Sequence, residues 1–277
     1  MRIIKIAAEP FETVVYHAPA SKGGPEEIRL PFIKVEADVL CGGVDALVAL
    51  SDLQGYEVLP DGSHGRLAGQ RVADDLAAMA GLGLIPPLEK CGIIIAGDMH
   101  SLPDCVKRGG YGDVREVWRM LAAKAAWVAG VPGNHDLFGG SPEELAAFRG
   151  ESRMHFLNGD MVELGGLKIA GIGGVLGNPF KPFRWADDDY AAKAEELLTK
   201  QPEIFVIHEA PGAPDSPQKG NLVVAEAFAA AKRPLLICGH KHWDEPLGQL
   251  PGGAQVLNVH ERVAVIVTKE NYAAGNR

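Results

Sequence analysis

Short apolar runs recur along this chain, each broken by glycine or a polar residue and most separated by stretches of helical spacing. Ala46 to Leu50, Ile93 to Ala96, Trp127 to Val131, Lys168 to Ile172, Ile204 to Ile207 and Leu235 to Cys238 are of strand length. Strands alternating with helices predict a layered α/β fold. Before them, Arg2 to Ile6, Thr13 to His17 and Phe32 to Val35 are β-rich, with the Gly/Pro/Lys stretch Ala18 to Pro25 between the last two. Two helix starts are written into the sequence. Asp113 with Glu116 has capping-box spacing, and Ser141-Pro142-Glu143-Glu144 joins an N-cap, a first-turn proline and the same box. Gln255 to Val259 and Val263 to Val267, with polar residues between, predict an antiparallel hairpin finishing a second sheet. The expectation is a four-layer α/β/β/α sandwich of two facing mixed sheets flanked by helices. It forms one domain over residues 1–277, with a β-rich N-terminal extension (1–43) and a core (44–267).

Composition narrows the class. A chain of 277 residues that is 47% apolar can bury a substantial core. Its longest apolar stretches fall far short of the roughly 20 residues that cross a bilayer. Met1-Arg2-Ile3-Ile4-Lys5 resembles a signal peptide in charge, but Glu9 and Glu12 arrive before an adequate apolar region, so the expectation is a mature cytoplasmic N-terminus. Cys41, Cys91, Cys105 and Cys238 have no CxxC spacing, which points to neither disulfides nor structural zinc. A net charge of −9 argues against a general nucleic-acid binder. A phosphorylated small molecule would need a local positive centre, which bound metal ions can provide.

Candidate ligands for such ions stand at the ends of the strand-like runs. They lie in Ser51-Asp52-Leu53-Gln54-Gly55, Gly97-Asp98-Met99-His100, Gly133-Asn134-His135-Asp136, His208-Glu209 and Gly239-His240-Lys241-His242. The carboxyl edge of an open α/β sheet is where ligands bind. Singly, each motif has a bland reading: a turn aspartate, an Asx-turn, a satisfied buried histidine, a surface turn with incidental histidines. Five ligand-type motifs at successive strand ends are much harder to explain by accident. Lys168 to Gly174 is glycine-rich, but the sixth position of a Gly-x-Gly-x-x-Gly match from Gly171 is Leu176, which rejects a dinucleotide site.

The order and residue types of these motifs resemble the calcineurin-like metallophosphoesterase superfamily, over roughly Val44 to Val267. The resemblance implies a binuclear centre bridged by Asp98 and a hydroxide. One ion would take Asp52, Gln54, Asp98 and His242, and the other Asp98, Asn134, His208 and His240. It further implies in-line attack on phosphorus, with His135 protonating the leaving alkoxide and Asp136 orienting its ring. One position departs from the family pattern: Gln54 stands where His is usual. An amide oxygen is a harder, weaker ligand than imidazole, so the expectation is a labile first ion and Mn²⁺ favoured over Fe or Zn.

Gly-Asp-Met-His-Ser-Leu-Pro and Gly-Asn-His-Asp look less like the protein Ser/Thr phosphatases of that superfamily than like its bacterial phosphodiesterases and small-molecule phosphatases. The resemblance thus implies a phosphodiesterase acting on a small or nucleotide-type diester. A phosphomonoesterase, or a fold that has lost catalysis, is the alternative. Asn178 to Trp185 is rich in aromatic and basic residues. Lys181 or Arg184 could clamp a phosphate and Phe183 or Trp185 could stack a base, or the loop's aromatics could simply dock on the core. His100 reads as a surface-loop residue, and Trp243 as lining the pocket or packing beneath it.

Overall fold

The computed structural model describes residues 1–107, 109–213 and 216–274. It is a mixed α/β structure with two large sheets and few helices. Side chains on successive strand residues point to opposite faces, and that period of two sorts the core. On the Ala46–Ser51 strand, Ala46, Val48 and Leu50 join one apolar cluster while Leu47 and Ala49 join another. The Cys91–Ile95 and Arg262–Thr268 strands divide the same way between the same two clusters. The first cluster also holds side chains of helices α1 (Ala68–Gly81), α2 (Arg115–Lys124) and α3 (Pro142–Arg149).

The second cluster draws on both sheets. Ile169, Ile204, Val206, Leu235 and Ile237 of the smaller sheet enter it, and their neighbours Ala170, Phe205, Ile207 and Leu236 turn into a third cluster. That third cluster is covered by α4 (Asp187–Thr199) and α5 (Leu222–Ala227), through Tyr190, Leu197 and Val224. Because both faces of the central strands are buried, they read as continuous apolar runs rather than as alternation.

Residues 1–37 do not form an appendage. The Pro25–Ala37 strand lies inside the ten-stranded sheet, between the Glu12–Pro19 strand and the Arg262–Thr268 strand. The expected C-terminal hairpin does not form. The Gln255–Asn258 strand pairs in the six-stranded sheet, parallel to Leu235–Gly239, whereas Arg262–Thr268 crosses to the other sheet, antiparallel to Ala46–Ser51. Each strand is buried almost throughout, flanked on both sides by other strands of its own sheet. The crossing is made at His260-Glu261, where Glu261 takes a φ of +49°.

Of the two helix starts, α3 keeps its N-cap and first-turn proline, Ser141 accepting the Glu144 N–H at 3.3 Å with Pro142 after it, but the Glu144 carboxylate accepts the Gly140 N–H at 2.7 Å instead of closing a box on Ser141. The Asp113 box does not form. Val114 holds the N-cap position of α2, and the Asp113 carboxylate is taken by the backbone N–H and guanidinium of Arg115. Among the described residues no helix is long and apolar enough to cross a membrane.

Candidate metal centre

Three adjacent parallel strands, Ala46–Ser51, Cys91–Ile95 and Trp127–Gly130, run out at one edge of the larger sheet, and Asp52, Asp98 and Asn134 follow them. In the smaller sheet the parallel strands Ile204–Glu209 and Leu235–Gly239 carry His208 and His240 at their ends. Two contacts join the edges: Ala96 O accepts from His208 Nδ1 at 2.7 Å, and the His240 N–H donates to Asp52 Oδ2 at 2.8 Å. A carbonyl can only accept, so Nδ1 of His208 carries its proton towards Ala96 and Nε2 is the nitrogen turned to Asp98, 3.4 Å from its Oδ2.

Local backbone makes this convergence possible. Asp52, Asp98 and His240 all adopt positive φ, at +58°, +55° and +63°, a region few non-glycine residues enter. Strain of that kind clusters where function demands a particular side-chain direction. Glycines then let the loops close on one another. A Cβ on Gly133 would lie 1.9 Å from Asp98 Oδ1, and one on Gly239 would lie 2.1 Å from Ser51 Oγ and 2.3 Å from Asp52 Oδ2.

The cluster is buried and its ligand-type atoms are poorly satisfied. Asp52, Asp98, Asn134 and His208 are each at most 3% exposed. Among the described residues, Asn134 Oδ1, His208 Nε2 and His260 Nδ1 have no hydrogen-bond partner. Buried polar atoms are normally paired, and an unpaired group costs about 1–3 kcal/mol. One ligand atom each from Asp98, His208 and His240 lies within 4.8 Å of the others. Burial alone would lower the pKa of His208, but the Asp98 and Asp52 carboxylates and the Ala96 carbonyl together outweigh it and hold His208 up at about 10. Burial, then the His208 charge, pushes His240 down to about 3, leaving a neutral imidazole. Burial also works against the Asp52 carboxylate, yet His260 brings its pKa below the ordinary value. Two carboxylates beside an amide oxygen and imidazole nitrogens that have no hydrogen bond, Asn134 Oδ1 and His208 Nε2 among them, fit a divalent cation, whose binding would displace the His208 proton.

No known family model matches the chain. No curated protein matches it either. Among solved structures it is similar to the sulfate thiohydrolase SoxB of Thermus thermophilus in complex with glycerol, at 11% identity and a TM-score of 0.41 over 81% of this chain. The chain spans about half the length of that protein, 53%. It is also similar to the phosphopantetheinyl hydrolase PptH of Mycobacterium tuberculosis, at 16% identity and a TM-score of 0.45, over 85% of this chain and 94% of that one. A protein of unknown function from Aquifex aeolicus aligns at 12% identity and a TM-score of 0.33, over 79% of this chain and 95% of that one. Likenesses this distant leave the chemistry to the site itself.

The residues expected from sequence fall into three groups. Asp98, His208 and His240 come together; Asp52 is tied to them by the His240 N–H, Asn134 lies between Gly133 and His135, which both pack against Asp98, and Gln54 Nε2 is 3.3 Å from Asp98 Oδ2. His135 sits at the rim, half-buried, its backbone N–H donating to Asp98 Oδ1 at 2.9 Å. His242 stands apart: it is exposed, its ring centroid 5.9 Å from that of His260.

Asp136 does not orient the His135 ring. Its carboxylate accepts the backbone N–H groups of Asp98, Met99 and Gly133, each at 2.8 Å, and of His100 at 3.2 Å, so it clamps two motif loops together. The His135 ring is held by Gly110 instead, whose carbonyl lies 2.7 Å from Nδ1.

The Asn178 to Trp185 loop is docked by two of its aromatics, while Phe180 is exposed. Phe183 packs on Phe138 and Phe156, and the Trp185 indole donates to Gly173 O at 3.0 Å with its ring edge-on to Tyr190. Lys181 is exposed, and Arg184 keeps Nη1 buried without a partner among the described residues. Trp243 packs in the third apolar cluster, its indole donating to Lys219 O at 2.7 Å. Glu209 accepts from the Leu176 N–H and the Asn221 amide, which makes it a loop anchor.

Two residues that the motifs did not single out as site residues also belong here. His100 is half-buried rather than on a surface loop, and lines a cavity of about 60 Å³ with Gln54, His260 and the N-terminal Ala18 and Pro19. His260 is 3.2 Å, through Nδ1, from Asp52 Oδ1. It lies in the polar break that the sequence presents as a hairpin turn, and nothing in the local pattern marks it.

Proposed function

We propose that this chain is a metal-dependent phosphoester hydrolase of the calcineurin-like metallophosphoesterase type, acting on a small or nucleotide-type phosphodiester in the cytoplasm. The two sheets and their flanking helices are read as the four-layer sandwich of that family. The observation that carries the proposal is the convergence of Asp98, His208 and His240, with Asp52 hydrogen-bonded to His240 and Asn134 next to the Gly133 that packs on Asp98, all at five strand ends, and with Asn134 Oδ1 and His208 Nε2 lacking a hydrogen bond. Asp98, Asn134, His208 and His240 would hold one divalent ion. Asp52, Gln54 and Asp98 would hold the other, the first ion of the expected pair, for which Mn²⁺ is favoured because the Gln54 ligand is a hard amide oxygen. Ions held there would polarise a phosphoryl oxygen and lower the pKa of a coordinated water.

The chain's own groups supply the rest. Asp98, between the two ligand sets, is kept in place by the His135 N–H and by the loop that Asp136 clamps. His135 donates through Nδ1 to Gly110, so Nε2 is the nitrogen free to deliver a proton to the leaving oxygen. Lys181 and Arg184 are candidates for holding the rest of the substrate; Trp185 is engaged in packing.

The test is hydrolysis of bis-p-nitrophenyl phosphate beside p-nitrophenyl phosphate by the Mn²⁺-loaded protein, with a diester of an unactivated alcohol as third substrate. The diester is expected to turn over faster than the monoester. His135→Ala should slow the unactivated diester by about 10²–10⁴-fold. It should slow the nitrophenyl esters far less, since their leaving groups need no proton. Equal slowing of all three would remove His135 as general acid, and faster monoester turnover would move the substrate class to phosphomonoesters.

A further inference from the structure

Gln54 removes an imidazole from the first ion's expected ligand set, and the geometry points to His260 as its replacement. This inference rests on the metal-centre reading above. His260 is largely buried, its Nδ1 lacks a hydrogen bond, and that atom lies 3.2 Å from Asp52 Oδ1. Two donors bonded to one divalent ion at about 2.1 Å sit roughly this far apart.

The position is built by the backbone. His260 forms a β-bridge with Ser51, the residue immediately before Asp52, and the Glu261 N–H donates to Ser51 O at 3.3 Å. The His260 N–H donates to the Asn258 side chain at 3.1 Å, and the positive φ of Glu261 turns the chain just after it. His260 lines the same small cavity as Gln54, on the Asp52 side of the cluster. Its ring also neighbours His242, and one ligand atom each from His242, His260 and Glu261 lies within 4.8 Å of the others. His260 thus links the outlying His242 to Asp52. With an imidazole restored, the first ion's site is richer in nitrogen than Gln54 alone suggests, which narrows its preference for Mn²⁺ over Zn²⁺.

The test is titration of chelator-stripped protein with Co²⁺, read by visible absorption and by equilibrium binding. Wild type is expected to take up Co²⁺ in two steps. His260→Ala should weaken one step by at least about tenfold and leave the other within twofold. Adding Gln54→His to His260→Ala should restore the lost step, because an imidazole returns to the same cavity. A second measurement needs no variant: in ¹⁵N-histidine-labelled wild type, Zn²⁺ should shift the His260 Nδ1 resonance together with those of His208 and His240. Co²⁺ affinities unchanged in His260→Ala, or a His260 resonance that stays put while the other two move, would overturn the inference and leave the metal centre standing. Failure of wild type to bind Co²⁺ at all would overturn both.

Discussion

Replacing Asp98 by Asn is expected to lower phosphodiester turnover at least about a thousandfold, the equivalent of about 4 kcal/mol, and to strip bound metal, while the fold survives. The separation of these effects follows from the geometry. Asp98 is 2% exposed, and its two oxygens face the His135 N–H, the Gln54 amide and His208. In the proposed centre it belongs to both ligand sets, so losing its charge would weaken both. Asn is isosteric with Asp and among the residues most tolerant of the left-handed backbone that position 98 requires, at φ +55°. Burial and the Asp52 carboxylate work against the charged form of Asp98, but the His208 charge and hydrogen bond outweigh them and hold its pKa below the ordinary value, so the neutral amide gives up that pairing and a modest loss of stability in the metal-free chain is expected beside the loss of metal. Metal content by elemental analysis and melting temperature without metal check the two halves. An Asp98→Asn protein that melts far below wild type would make Asp98 a structural residue first.

The second large effect is steric. Gly133→Ala should destabilise the chain by about 3 kcal/mol, because an added Cβ would sit 1.9 Å from Asp98 Oδ1 and 2.3 Å from the Asp98 nitrogen. Gly133 is not among the positive-φ residues, so the backbone would accept alanine and the cost is the collision alone. Relief requires moving either the Gly133-Asn134 loop or Asp98, and either movement opens the ligand set. The expected result is a fall in Tm of roughly 5–10 °C together with loss of metal. Gly81 provides the control: it ends α1, has nothing within 4 Å of an added Cβ and is absent from the positive-φ set. There the same substitution should be neutral or stabilising, by up to about 1 kcal/mol, with metal retained. Equal effects at both positions would mean that the tight packing around Gly133 does not hold the ligands.

The central strands were legible because they are buried on both faces and so appear as apolar runs of strand length. Their ends were legible for a related reason: Asp52, Asp98 and His240 are polar residues directly after such runs, where burial demands a partner. The path of the last strand was not. Gln255 to Asn258 and Arg262 to Thr268 are each apolar enough to pair with almost anything, and the choice between a hairpin and a crossing depends on which edge each sheet leaves open. Asp136 was misassigned because its role, accepting four backbone N–H groups from two loops, belongs to the tertiary arrangement and has no trace in residue spacing. His260 was hidden likewise: a histidine between two apolar runs looks like turn polarity until the Ser51 bridge places it beside Asp52.

The most direct test of a metal-dependent phosphoester hydrolase is to strip the wild-type chain with a chelator and then restore Mn²⁺. Bis-p-nitrophenyl phosphate and p-nitrophenyl phosphate hydrolysis are followed at each stage, beside the Asp98→Asn variant treated identically. Turnover that disappears on stripping, returns with Mn²⁺ and stays absent in the variant is the expected result. Wild-type protein that has demonstrably bound Mn²⁺ yet hydrolyses neither ester faster than the variant would contradict the account.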